Sequence, residues 1–330
     1  MLTNHFTHEE TDTHYIYTYT VVLSRYLYSI TDVKQSLFLS ILEHNEEQSM
    51  FWGYELYFSG FQEETFDYLL EIARILYQID FLDCDEDNDM IDFVNYCKYL
   101  WNLSERNSHH AIGSCISCMC NHNHNLAPFI KKYFQKDIIK VEYLSKNNYV
   151  NFKLEDVEKY TPDYSNTPSY KILKHARKYA VNKIYNQLFK TYIPENPNHI
   201  YFDNWLYHAS LSPIWNKRIT EYEGITDEKN RKIIFENEDL KEEFYNKWDY
   251  EPGEQSLETH QKVMGNPNDL QQDLETFCIQ YGYKMQECEV DERNDDDKGK
   301  PVTHTDVLDN TNSIPVNCGG VIHRFKKRVI

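Results

Sequence analysis

Cys115 and Cys118 are separated by the two-residue gap that lets two thiolates bind one tetrahedral ion, and Cys120, His122 and His124 follow at once in CISCMCNHNHN. Sulfur together with imidazole suits zinc, and a closed site would pin a polar stretch that has little else to order it. His109 and His110 stand just upstream as further donors. The same residues also fit a surface loop with incidental Cys and His, since structural zinc sites usually hold their ligand pairs roughly a dozen or more residues apart. A redox CxxC would need a preceding strand and a helix N-terminus beneath the thiol, and no strand pattern precedes it.

The other chemically suggestive residues carry less. In DCDEDNDMIDFV, Asp83, Asp85, Asp87 and Asp89 alternate as in a calcium loop, but Asn88 stands where the turn glycine belongs and Val94 where the bidentate Glu belongs. Asp clustering ahead of a helix is explained by amide capping and the positive helix end. No HExxH or GxSxG spacing occurs, and His175 and His208 read as satisfied groups inside helices, with no partner to make either a base. Trp205, Tyr207 and Trp215 could form a stacking platform, although aromatics at helical spacing are usually core. Lys171, Lys174, Arg177 and Lys178 lie on the most basic segment, where a phosphate-bearing partner would dock if one does.

Composition narrows the classes further. The chain has 330 residues, which suggests about two folded units, and a formal net charge of −19, which opposes general nucleic-acid binding. Only Gly53, Gly60 and Gly113 precede Gly224, so no glycine-rich loop is present to cradle a dinucleotide. Gly299-Lys300 is followed by Pro301 rather than Ser or Thr and fails as a phosphate loop. No apolar run is long enough to span a membrane, and Glu9, Glu10 and Asp12 replace the basic flank of a secretion signal, so an intracellular protein with reduced thiols is expected. No motif demands a cofactor; structural zinc is the one group the residues could hold.

The elements that must position these residues are mostly helical. Apolar periodicity predicts helices over 15–30, 33–43, 46–59, 63–79 and 90–101, with Asp32 capping the second and Gly60 stopping the third. Short connections favour antiparallel neighbours, so 15–104 reads as a helical domain behind a flexible terminus, 1–14. Residues 105–125 read as a Cys/His-rich loop. A second mostly helical domain follows over 126–285, with strands near 138–143 and 232–235, a long basic helix over 170–189, short helices around Pro213, and a last helix closed by Gly282. Residues 286–330 are acidic and poor in aromatics, as in EVDERNDDDKGK, and read as largely disordered. The final NCGGVIHRFKKRVI adds Arg324, Lys326, Lys327 and Arg328 and could dock as a strand or serve as a tail. The fold class is mainly α, a multi-helix antiparallel bundle or layered array with a few short strands.

The segments RYLYSITDVKQSLFLSILEH, MFWGYELYFSGFQEETFDYLLEIARILY, FDNWLYHASLSPIWNKRI and WDYEPGEQ, in that order, together resemble a family of uncharacterised proteins of nucleocytoplasmic large DNA viruses, the giant viruses. The likeness spans roughly residues 20 to 255. It implies a viral setting, in host cytoplasm or nucleus or in the virion, without implying an activity. The helix around MFWGYELYFSGF is also similar to the collar of clamp-loader ATPases, where aromatic helices pack between subunits; only that packing role carries over. The expected function is a non-enzymatic viral assembly or scaffold protein that contacts viral or host proteins, or itself, through Phe51, Trp52, Tyr54, Tyr57 and Phe58, whose girth exceeds what one helix face buries. The alternative is a nucleic-acid-associated accessory factor in viral replication or transcription, using the basic segment and a zinc loop.

Overall fold

A computed structural model describes residues 20–77, 89–106, 108–141, 154–160, 178–182, 197–248, 252–265 and 272–286. The acidic cluster 83–88, most of the basic segment and the terminal stretches lie outside them. The protein is mainly α-helical, with short strands in two-stranded sheets.

The first helices come where apolar periodicity puts them: α1 (Ile30–Leu42), α2 (Glu46–Phe58), α3 (Gln62–Leu76) and α4 (Asp89–Leu103). Asn45 caps α2 by accepting the Gln48 amide at 3.2 Å, and Glu46 and Glu47 favour the positive end of the helix. Gly60 ends the turn after α2 with φ +100°, a conformation that a side chain resists. Its missing Cβ also makes room for a neighbour: a Cβ there would lie 2.5 Å from that of Pro213. Gly60→Ala is therefore expected to cost about 1–3 kcal/mol, read as a lower urea midpoint with unchanged slope. An unchanged midpoint would mean that the turn and Pro213 relax without cost.

Two segments depart from their local pattern. Residues 20–29 form a tight turn instead of a helix: Ser24 N–H donates to Tyr28 O at 2.7 Å, Ile30 N–H to Val22 O at 3.0 Å, and Leu27 adopts φ +63°. The cause is tertiary, because the fully buried carboxylate of Glu55 on α2 accepts Ser24 Oγ at 2.5 Å, Arg25 Nε at 2.7 Å and Tyr26 N–H at 3.1 Å. The helix consequently starts at Ile30, and Asp32 lies in its first turn instead of capping it. The second departure is α5 (His110–Asn121), which occupies the expected Cys/His-rich loop. Ala111, Ile112, Cys115, Ile116, Met119 and Cys120 are buried at helical spacing, the cysteines serving as small apolar residues. Gly53 lets α5 lie close to α2, since a Cβ there would overlap Ile116 Cδ1.

Next come α6 (Ala127–Phe134), β1 (Ile138–Lys140) and α7 (Leu154–Glu158). Residues 178–182, the described part of the expected basic helix, are not helical; Val181 N–H donates to Lys262 O at 2.9 Å and Asn182 N–H to Ser36 Oγ at 3.1 Å, tying this stretch to other elements. A π-turn (His199–Asp203) leads into α8 (Trp205–Ser210) and α9 (Pro213–Thr220), the pair expected around Pro213. A hairpin of β2 (Gly224–Asp227) and β3 (Lys232–Phe235), then α10 (Glu238–Trp248), α11 (Leu257–Met264) and α12 (Leu274–Gln280), complete the body. Gly282, at φ +79°, turns the chain into β4 (Tyr283–Met285), which pairs antiparallel with β1, Ile138 opposite Met285.

Buried side chains from Val21 to Tyr283 form one hydrophobic cluster. Several polar tips within it are paired: Trp215 Nε1 donates to Ser24 O at 3.0 Å, and Tyr283 Oη accepts the Leu126 amide at 2.9 Å. Trp205, Tyr207 and Trp215 are all buried, so they pack and offer no open stacking face. Arg218 lies over the rings of Trp215 and Trp248, at 4.5 and 4.0 Å from their centroids. Among the described residues, no helix is long and apolar enough to cross a membrane.

Candidate protein-interaction surface

The aromatic residues of α2 are core. Phe51, Trp52, Tyr54 and Tyr57 are buried and Phe58 is partly so, which removes the basis for the expected contact at these residues. Their excess girth is absorbed inside the chain. Tyr54 stacks on Phe58 and on Tyr160, with ring centroids 5.6 and 5.0 Å apart, and Trp52 meets Tyr28 edge-on at 5.1 Å. Trp101 Nε1 donates to Tyr57 Oη at 2.9 Å, and Tyr57 Oη lies 3.0 Å from His109 Nδ1. Burial depresses the His109 pKa, so its ring is neutral and its Nδ1 can accept the Tyr57 proton.

Among the described residues, exposed large apolar side chains occur on α4 and also at Ile139, Val141, Ile225, Ile234, Leu257 and Ile279; those of α4 share one side of a helix. Met90, Val94, Cys97 and Trp101 form its buried stripe, facing α3 and α5. The opposite side carries Tyr96, Tyr99, Leu100 and Leu103, which are 56, 57, 38 and 62% exposed. These residues stand at i, i+3, i+4 and i+7, so they lie together on one side of the helix. A surface helix ordinarily presents polar residues there.

Charged residues flank this stripe, with a small excess of acids. Asp92, one turn before Tyr96, is exposed, as is Glu105 just beyond the helix. Asp67 and Glu63 rise from neighbouring α3, while the nearby cations Lys98 and Arg106 are taken up by them, at 2.5 and 3.4 Å. No protein family, curated protein or solved structure matches this chain. The functional reading therefore rests on surfaces and side chains.

The expected metal ligands do not converge. Cys115 is fully buried beside Cys97 of α4, a neighbour absent from the candidate set, and burial raises its thiol pKa. Cys118 is half-buried one turn on; His122 Nδ1 lies 2.7 Å from the Cys118 carbonyl and 3.6 Å from its sulfur. Cys120 turns to another face, toward Ser49 on α2. His124 packs against His44, the ring centroids 4.8 Å apart. Burial raises the Cys118 thiol to about 11 and that of Cys120 to about 12, and both stay protonated at neutral pH. Among the described residues, no group of three or more His, Cys, Asp or Glu side chains is arranged to hold an ion.

Lys171, Lys174 and Arg177 lie outside the described residues. Lys178 is exposed and ion-paired with Glu47 at the start of α2, which further raises its pKa. His208 is buried, with Nδ1 donating to Val21 O at 2.9 Å, a packing role in keeping with its sequence reading.

The α4 stripe was available to sequence reasoning. Met90, Val94, Cys97 and Trp101 satisfy one side of the helix, which leaves Tyr96, Tyr99, Leu100 and Leu103 as a second apolar side. Pattern alone does not say which of the two is covered.

Proposed function

We propose that this chain is an assembly or scaffold protein acting through helical protein–protein contacts, with the outer face of α4 as its contact surface. The observation that carries the reading is the run of exposed Tyr96, Tyr99, Leu100 and Leu103 on one side of a helix whose other side is fully engaged in the core. Contiguous exposed apolar residues rimmed by polar ones mark interaction sites. Tyrosine adds a large, stiff contact area at low entropic cost. Asp92 and Glu105, which flank the stripe, fit a partner helix with an apolar side and basic flanks. The resemblance to giant-virus proteins supports a viral setting for such an assembly role.

The nucleic-acid alternative has less behind it, because Lys178 is occupied by Glu47 and the net charge of −19 repels phosphate.

The full chain and a Tyr99→Glu, Leu103→Glu variant can be compared for complexes isolated from expressing cells. Both positions are exposed, so the variant should keep its helical circular dichroism and melting temperature. A stoichiometric partner of the parent chain should bind the variant more weakly by about 2 kcal/mol or more, roughly thirtyfold. Retention of every partner by the folded variant would overturn the proposal.

A further inference from the structure

The outer face of α4 needs an apolar segment with basic flanks, and this chain carries one. In VIHRFKKRVI, Ile322, Phe325 and Val329 recur at i, i+3 and i+7, while Arg324, Lys326, Lys327 and Arg328 fill the intervening positions. We propose that residues 321–330 dock on the α4 face of the same chain and cover Tyr96, Tyr99, Leu100 and Leu103 until a partner displaces them. The inference rests on α4 being the contact surface and adds how that surface is regulated.

The apolar spacing of 322, 325 and 329 matches that of 96, 99 and 103, so the segment, if wound into a helix on docking, would lay its apolar side along the stripe. The charges are complementary: Lys98 and Arg106 are paired with Asp67 and Glu63, which leaves Asp92 and Glu105 as the net charge beside the stripe, opposite in sign to the four cations of the segment. A second copy meets this surface less well, because each chain carries −19. Reach is not limiting, since a chain of the length of residues 287–320 can span at most on the order of 100 Å at about 3.3 Å per residue. A tether of this kind gives an effective concentration of up to about millimolar, so a contact that is weak between separate molecules is substantially occupied within one chain.

The test uses the full-length chain and a labelled synthetic peptide of residues 319–330. Phe325→Glu in the full-length chain should open the α4 face, so that it binds the peptide at least about tenfold more tightly than the parent chain, whose own segment competes. Adding Tyr99→Glu to that variant should abolish peptide binding. High salt should weaken the contact.

Equal peptide affinity for parent and Phe325→Glu chains, or no binding to either, would overturn the inference. So would binding that survives Tyr99→Glu, or tighter binding that comes only with dimerisation of the chain. The two proposals can fail separately. If the stripe variant loses its partners while the peptide does not bind, only the self-docking is wrong. If the peptide binds through Tyr99 while the stripe variant keeps every partner, the scaffold reading falls.

Discussion

Replacing Glu55 with Leu is expected to destabilise the protein by about 3–5 kcal/mol, because it removes a buried carboxylate that accepts three hydrogen bonds, one of them from the Arg25 guanidinium. Glu55 lies on α2 with no exposed surface, and its carboxylate accepts from Ser24 Oγ, Arg25 Nε and the Tyr26 amide. Burial pushes its pKa up, while Arg25 and these hydrogen bonds pull it down. The guanidinium of Arg25 lies over the rings of Tyr26 and Phe58, 4.5 and 5.0 Å from their centroids, in a position that water cannot readily fill. A loss of this size consumes a large part of the stability of a typical domain. Urea denaturation followed by circular dichroism checks it, and a loss below about 1 kcal/mol would show that Arg25 finds other partners. The double variant Arg25→Met, Glu55→Leu should recover only the part of the loss that comes from the charge, since the Ser24 hydroxyl and the Tyr26 amide still lack their acceptor.

Acid sensitivity is the second large effect. His124 is held at a pKa of about 3, first by burial, then by His44 and Lys140 nearby. The ordinary value of His is 6.5, so below that pH the unfolded chain takes up a proton that the folded chain refuses. Stability contributed by neutral His124 is complete above pH 6.5 and is lost progressively down to about pH 3, where the folded state protonates as well. At roughly 1.4 kcal/mol per pH unit, the loss at pH 5 relative to pH 7 is about 2 kcal/mol from this residue. His109 and His208 are shifted in the same direction by burial and steepen the decline. Unfolding free energies across pH 4–7 test this point. His124→Asn should reduce the slope by about one proton; an unchanged slope would mean that His124 is not the group responsible.

The local geometry shows why His124 resists protonation. Its Nδ1 is buried without a hydrogen-bond partner, and a proton there would add a charge with no acceptor. His44, which packs against it, has φ +54° and directs Nδ1 to the Cys120 carbonyl at 2.7 Å, so the ends of α1 and α5 are joined through this pair. A charge on His124 would therefore act on both helix ends.

Helices α1 to α4, the turn at Gly60, the short helices around Pro213 and the stop at Gly282 were determined by the sequence itself. In each, apolar spacing, caps and glycine act over a few residues and agree with one another. Residues 20–29 have helical spacing at Leu23, Leu27 and Ile30, yet Glu55, about thirty positions away, supplies the acceptors that hold them in a turn. Residues 110–121 look polar because Ser, Cys and His interrupt the pattern, and they become a helix because α2 and α4 offer a surface on which Cys115, Ile116 and Cys120 can be buried. The most consequential choice was which aromatic surface is covered. Both α2 and α4 carry more apolar residues than one side of a helix can hold, and no local rule ranks them. Burial is a property of the assembled neighbours: α1, α3 and α5 surround α2, whereas α4 meets α3 and α5 on one side only and leaves Tyr96, Tyr99, Leu100 and Leu103 toward solvent.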